Sequence, residues 1–311
     1  MLRYTIKRFL FIIPMMLGVI LLVFSLINLV PGDPGRTILG ITASQEAVDA
    51  MNEELGYYDP FIVKLADYLR GVFLHFDFGE SYVSGEPVLH EILINFKYTL
   101  RLTIWCTLAM AMVGIPLGIL AAVKQYSAVD DVIRIGAITL NSVPSFWLSM
   151  IGILTFSLYL GLLPSNGVDT WKNYVLPVGL NALTSGAALV RMTRTIMLET
   201  IREDYVRTAR AKGCSERTVR WKHAFANASL PIITSLGISF GSMLGGTVII
   251  ESVFSMPGLG TVAMNAVNTK DLPLVMGCTI FIAAIFSVIV VLVDLISAWV
   301  DPRVRAKFSG T

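Results

Sequence analysis

Charge, histidine and nucleotide-binding motifs are what this chain has least of. Only 15% of its 311 residues are charged while 55% are hydrophobic, against about a quarter charged in a soluble domain. It has no G-x-x-x-x-G-K-[ST] phosphate loop, and Gly258-Leu259-Gly260 lacks the lysine that would have to follow. The chain is therefore not expected to bind or hydrolyse ATP itself. The three histidines, His75, His90 and His223, fall outside the long apolar runs and form no His-x-x-x-His pair. With no clustered cysteine either, no metal site, catalytic residue or resident cofactor is expected. Cys106 and Cys278 lie in apolar runs and Cys214 in a basic segment, so no disulfide is suggested. No Gly/Ser linker, low-complexity tract or charge block divides the sequence, which favours a single domain over 1–311.

Uncharged apolar sequence is what is plentiful. Runs long enough to cross a hydrocarbon core of about 30 Å occur at 9–30, 102–123, 135–163, 173–190, 224–250 and 272–293. They predict an all-α polytopic membrane protein with six transmembrane helices. The fourth run is the shortest and is expected to lean on Arg191 and Arg194 as snorkelling residues at its inner end. With the N-terminus inside, 17 of the 24 Lys and Arg fall on the cytoplasmic side, which predicts a cell-membrane protein with both termini cytoplasmic. The net charge of +2 reflects this topology rather than a nucleic-acid patch. Run 9–30 exceeds a signal-peptide core and is followed by Pro31-Gly32-Asp33-Pro34-Gly35 instead of a cleavage site, so it is expected to remain as a helix, one that the PGDPG stretch cannot continue.

The interiors of these runs are free of charge, with Glu251 and Asp294 only at their margins. That argues against a proton-driven carrier, since such proteins place ionisable groups inside the membrane. Sodium sites built from backbone carbonyls stay open. If the chain moves a solute, its energy is expected to come from another chain.

Segment 31–98 is the predicted extracytoplasmic region. Thr42 or Ser44 can cap a helix carrying Val48, Met51 and Leu55, stopped by Gly56. Asp59-Pro60 then reads as the start of a second helix, with Ile62, Leu65 and Leu69 on one stripe and an end at Gly71. A third amphipathic run, Val88 to Phe96, is expected to lie along the membrane surface. The segment is either a packed cap or a contact surface for an extracytoplasmic partner. Further on, Gly114-Ile115-Pro116-Leu117-Gly118 suggests a kink. Asn141-Ser142-Val143-Pro144-Ser145 interrupts the third run, either repairing backbone groups or lining a cavity. Asn181 and Ser185 add polarity to the fourth. Gly237, Gly241 and Gly245 make a ridge for close helix approach that is also compatible with bordering a passage. Asn141, Ser142, Asn181, Ser185, Gly237, Gly241 and Gly245 are the candidate pathway residues.

Between the fourth and fifth runs, 195–230 is strongly basic, as a cytoplasmic anchor would be. Its core, Arg207-Thr208-Ala209-Arg210-Ala211-Lys212-Gly213, mixes small residues with cations. Gly213 can end one short helix before Ser215 caps the next, a protrusion suited to a groove on a partner.

This loop resembles the ATPase-docking motif of ABC importer permeases, in the dipeptide, oligopeptide and nickel branch. Glu203-Asp204-Tyr205-Val206-Arg207-Thr208-Ala209-Arg210-Ala211-Lys212-Gly213 is a close match. Further matches are spread along the chain: Pro31 to Pro34, Asp77-Phe78-Gly79-Glu80-Ser81, Pro116 to Gly118, Arg191 to Arg194, Asn227 to Pro231, Phe254 to Gly260, and Asp301-Pro302-Arg303. Two departures exist. Arg207-Thr208-Ala209 stands where the general motif has Glu-Ala-Ala, as is usual for this branch, and Met256-Pro257-Gly258 where the outer segment often has Trp-Pro-Gly.

The resemblance implies a type I importer permease fold, divided into a first helix (1–30), the 31–98 segment, a five-helix core (99–300) with the 195–230 loop, and a tail (301–311). It implies half of a pathway completed by a homologous second permease. Two ATPase subunits would carry ATP-Mg, and an extracytoplasmic binding protein would deliver solute. Asp204, Tyr205, Arg207, Ala209, Arg210, Ala211, Lys212, Gly213 and Cys214 would couple to the ATPase, with Ala209 to Cys214 as the coupling helix. Peptides or nickel and other metal chelates are the implied substrates. The readings from a different class are a self-contained channel or ion-coupled carrier, and a scaffold that moves no solute.

Overall fold

The computed structural model describes residues 2–29 and 32–300. The expected tail with its Asp301-Pro302-Arg303 lies outside them, as do Val30 and Pro31. In chain order the helices are α1 (Leu2–Leu29), α2 (Pro34–Leu39), α3 (Gln45–Glu54), α4 (Phe61–Arg70), α5 (Val88–Val123), α6 (Ala128–Ser142) and α7 (Ser145–Gly152). They continue as α8 (Lys172–Ile201), α9 (Asp204–Ala211), α10 (Glu216–Thr218), α11 (Ala226–Gly246), α12 (Val248–Val253), α13 (Leu259–Thr269) and α14 (Leu272–Val300). Wider π-helical turns extend α4 over Gly71–His75 and α7 over Ile153–Tyr159, and join α10 to α11 over Val219–Phe225. Among the described residues the β pairing is confined to an isolated bridge between Glu80 and Pro87.

Among the described residues five helices are long and apolar enough to cross a membrane: Arg8–Leu29, Val88–Val123, Lys172–Ile201, Glu216–Gly245 and Leu272–Trp299. A sixth crossing is available as the pair Ala128–Ser142 and Ser145–Tyr159, bent by 97°. The six apolar runs therefore correspond to real helices, but the third is broken rather than straight. Pro144 forces the preceding Val143 out of helical conformation, to φ −82° and ψ 127°. The expected surface helix at 88–96 is instead the first part of the 36-residue α5.

Two compact units are distinguished among the described residues. One is formed by Ile6–Thr99 with Pro257–Val288. Its core gathers Met16, Ile20 and Phe24 of α1 with Val88 and Ile92 of α5 and Leu274, Cys278 and Ile280 of α14. Asp33 caps α2 by accepting from the Arg36 N–H, with Pro34 at the first position of the helix. Buried Asn52 then ties α3 back to it: Asn52 Nδ2 donates to Asp33 Oδ1 at 2.7 Å, and Asn52 Oδ1 accepts from the Gly35 N–H at 2.8 Å. Ser44 caps α3 as expected. Val48 is buried, whereas Leu55 is exposed. α4 starts one residue later than Asp59-Pro60 suggested, with Pro60 as its cap. It does not stop at Gly71, because the π turn carries it to Phe76, which adopts φ 53°. Asp271 fastens 77–82 to the start of α14: one oxygen accepts from Ser81 Oγ, the other from the Tyr82 and Leu274 N–H groups.

The other unit is built on Leu100–Met256 with the far part of α14. Leu102 and Cys106 of α5 pack with Tyr174, Leu176 and Leu180 of α8 and with Phe254 and Met256. Farther along, Met110 and Ile119 of α5 meet Leu189 and Met197 of α8 and Ala228 and Ile232 of α11. The Gly114 to Gly118 stretch lets α5 and α8 approach closely. A methyl at Gly118 would stand 2.6 Å from Thr193 Cβ and 2.7 Å from the Val190 carbonyl oxygen. Gly118→Ala is expected to cost about 1–3 kcal/mol by overpacking and to lower the melting temperature of the purified protein. Gly136→Ala, where nothing lies within 4 Å, should leave it unchanged or raised.

Candidate functional site

The segment joining α8 to α11 folds as a helical hairpin. α9 has Asp204 in its first turn and Arg210 in its last, each matched to the sign of the helix end it occupies. Gly213, at φ 79°, reverses the chain. Its N–H donates to the Arg210 carbonyl at 2.9 Å, and the Cys214 N–H donates to the Ala209 carbonyl at 3.2 Å. Those two bonds define a Schellman end, a conformation in which glycine avoids the Cβ penalty. Ser215 then caps α10 by accepting from the Thr218 N–H. The sequence expectation of two short helices meeting at Gly213 holds. The helix itself is Asp204–Ala211, however, and Lys212, Gly213 and Cys214 form the turn after it rather than part of it.

Underneath, Val206 and Ala209 of α9 are buried against Val219, with Cys214 packed on them. Asp204, Tyr205, Arg207, Arg210, Ala211, Lys212 and Gly213 are exposed. Of the nine residues singled out in this loop, Ala209 is thus floor and not contact face, and Cys214 is half-buried. Glu216, which the sequence did not single out, braces the turn. It receives Arg210 Nε at 2.8 Å and has Arg220 Nε at 3.7 Å. The available signal was an acid in a helix first turn, a few residues across a glycine reversal from a cation. Exposed ion pairs of this kind contribute roughly 0–1 kcal/mol, so the backbone turn and its apolar floor hold the shape.

α8, which feeds this hairpin, is anchored by an ion pair. Arg194 Nε and Nη2 donate to Asp130 Oδ1 and Oδ2, each at 2.7 Å. Asp130 is 1% exposed and accepts a further bond from the Tyr126 N–H at 3.1 Å. It lies in the first turn of α6, where the helix dipole also favours an anion. Arg194 is therefore not a snorkelling residue. A carboxylate within reach satisfies it better than a stretch to the membrane surface. Arg191 is exposed.

The seven candidate pathway residues lie on three helices, α6, α8 and α11, and differ in exposure. Asn141 and Ser142 end α6, both exposed, with Ser142 Oγ donating to the Ile138 carbonyl. Asn181 of α8 is buried and its Oδ1 has no hydrogen-bond partner, while Ser185 one turn later is half-buried. Gly237 is in tight contact with Val293 of α14, and Gly241 is buried, but Gly245 is exposed. Among the described residues no three His, Cys, Asp or Glu side chains come together in a group that could hold a metal ion.

The family described as binding-protein-dependent transport system inner membrane component matches residues 114–306, and its N-terminal counterpart matches 1–103. The glutathione transport system permease protein of Salmonella choleraesuis (strain SC-B67) is 40% identical over 311 residues, covering 99% of this chain and 100% of the relative. A putative peptide transport system permease protein of Brucella abortus (strain 2308) is 40% identical over 307 residues, covering 96% and 98%. In fold, the chain is similar to an inward-facing methionine ABC transporter, at TM-score 0.51 and 20% identity over 71% of this chain and 98% of that one. It is also similar to an amino acid ABC transporter, at TM-score 0.50 and 19% identity over 69% and 94%.

Removing either half of the Asp130–Arg194 pair strands a largely buried charge. Asp130→Ala and Arg194→Ala are each expected to destabilise the purified protein by about 3 kcal/mol. The double variant should lose less than the sum, and a thermodynamic cycle from unfolding midpoints checks this. Additive losses would mean that the two side chains act independently.

Proposed function

The chain belongs to the family of binding-protein-dependent transport system inner-membrane components, and from that premise we propose that it forms half of an ATP-driven uptake pathway for short peptides, glutathione among them. It is a multi-pass permease subunit of an ABC importer and not an enzyme, with solute-binding and ATPase subunits as its partners. Membership of an energised, multi-subunit class sets aside the self-contained channel, the ion-coupled carrier and the passive scaffold. Peptides are the proposed cargo because the similar permeases carry glutathione and peptide in their names. Nickel and other metal chelates have no such support.

In this reading a homologous second permease completes the pathway, and ATP-Mg is bound by the two partner ATPases. Both chain termini and the α8 to α11 hairpin face the cytoplasm, where the positive-inside rule puts basic loops. The 31–98 segment faces the binding protein. The observation that carries the proposal is the hairpin itself: an exposed, backbone-locked turn at Lys212 and Gly213 over a buried floor, shaped to enter a cleft of an ATPase. ATP-driven closure of the ATPases would draw the two hairpins of the permease pair together and turn the pathway outward. Asn181 and Ser185 on α8, and Asn141 and Ser142 at the α6 to α7 break, are the proposed polar lining, completed by the second permease. Gly237 and Gly241 pack beside it, and Gly245 offers a surface for a neighbouring helix.

Gly213→Val places a β-branched residue at positive φ, which costs about 1–2 kcal/mol and reshapes the tip. ATPase subunits should co-purify about tenfold less well, and uptake should fall in parallel, with membrane insertion intact. Unchanged association and uptake would remove the hairpin from the docking role. Orientation has its own test, in a Cys214→Ser background where the other two cysteines, Cys106 and Cys278, are buried. Lys212→Cys is expected to react with a membrane-impermeant maleimide in inverted vesicles, and labelling in right-side-out vesicles alone would reverse the topology.

A further inference from the structure

The end of α1 and helix α4 together form a site that importing peptides does not require. α1 presents Leu22, Leu26 and Leu29 outward, with Leu29 78% exposed, as a lipid-facing span does. α4 lies against its last turns: the Phe24 ring meets Phe61 edge-on at 5.4 Å and Tyr68 at 5.9 Å. Lys64 Nζ donates to Asn28 Oδ1 at 3.0 Å. Beyond Phe61, α4 exposes Ile62 and Val63, with Ile62 77% exposed, and the π turn after it exposes Phe73 and Leu74. These exposed apolar side chains belong to a helix that packs on the last turns of α1, where its apolar run stops. An exposed apolar face beside the end of a membrane-spanning helix suits the bilayer interface.

Behind α4 is a cavity of about 430 Å³ whose polar wall is Asn28, Tyr57, Lys64, Tyr68 and Tyr82, closed by apolar side chains from the end of α1 and the start of α14. Lys64 is its cation. Nζ spends two of its three donors on neutral acceptors, Asn28 Oδ1 and the Tyr57 carbonyl, and none of the ion pairs found among the described residues includes it. Nζ also stands 5.5 Å from the Tyr57 ring centroid, so one N–H is left over and the charge meets only neutral acceptors and an aromatic face. The Tyr68 hydroxyl is buried without a hydrogen-bond partner. Burial, and then the nearby Asp77 charge, hold that phenol protonated well above its ordinary range, so it is a donor too.

We propose that this cavity binds the phosphodiester headgroup of a membrane phospholipid, with Lys64 and Tyr68 as its donors and the acyl chains lying along α1. A cation and a neutral donor beside apolar walls suit a phosphate carrying a hydrocarbon tail better than a small soluble anion, which would leave the apolar wall unused. The position at the end of a lipid-facing helix puts phospholipid within reach without any further partner.

The test is native mass spectrometry of the detergent-purified importer titrated with dioleoylphosphatidylglycerol. Lys64→Gln is expected to weaken the first bound lipid about tenfold, and Tyr68→Phe, which removes one donor and no volume, about threefold. Lys64→Arg should retain binding, and inorganic phosphate should not displace the lipid. Equal lipid affinity in Lys64→Gln and Tyr68→Phe overturns the proposal, and so does displacement by phosphate, which would make this a soluble-anion site. If Lys64→Gln instead loses the solute-binding protein while lipid occupancy is unchanged, the face is a protein dock and the lipid assignment is wrong. Lipid binding is read without transport, so its failure leaves the importer assignment standing.

Discussion

A hydrocarbon layer offers a peptide group no hydrogen-bond partner, so backbone that crosses it has to satisfy its own N–H and C=O groups. The rest of this molecule depends on that constraint. It turns each apolar run into helix and tolerates Pro14, Pro116, Pro177 and Pro231 inside long helices. It makes the sharp break at Val143 and Pro144 informative, because freed backbone groups at membrane depth have to be covered by protein or face a water-filled space. In the proposed function that space is the pathway, with the second permease as the missing wall. The same constraint pushes turns and charges to the helix ends, where the α8 to α11 hairpin forms.

The hairpin is rigid for local reasons and placed for a distant one. Locally, the Schellman turn at Gly213 and the contact of Val206 and Ala209 with Val219 fix its shape. The exposed pairing of Arg210 with Glu216 spans the reversal but adds little energy. The distant reason is the bidentate Arg194–Asp130 pair, which ties the end of α8 nearest the hairpin to the first turn of α6. In the proposed function a displacement of α9 is delivered to two helices at once, and one of them ends at the 97° break. A paired, desolvated charge resists being pulled apart, since separation leaves both ions poorly solvated.

The legible part of the sequence was local in its physics. Apolar runs, the Ser44 and Ser215 caps and the Gly213 reversal each rest on a few neighbouring residues, and all stand in the structure. What could not be read was set by distance along the chain. Arg194 finds its partner 64 residues away, so an expectation based on its position in an apolar run gave it to the membrane surface. Asn52, on a helix face read only for its hydrophobes, turned out to hold Asp33 and Gly35. Ala209 looked like contact face because it is small and sits among cations, yet a residue on the inner stripe of an amphipathic helix belongs to the floor. The run from Val88 to Phe96 is amphipathic because one side packs on α14, and periodicity alone does not distinguish that from a membrane surface.

The central claim is that this chain conducts solute only as part of an ATP-driven assembly. Accumulation of labelled glutathione or dipeptide by proteoliposomes containing the complete complex tests it most directly. The account predicts uptake against a gradient that requires both ATP and the solute-binding protein and is absent when this chain is reconstituted alone. Solute flux through this chain by itself, indifferent to ATP and to the binding protein, would contradict it.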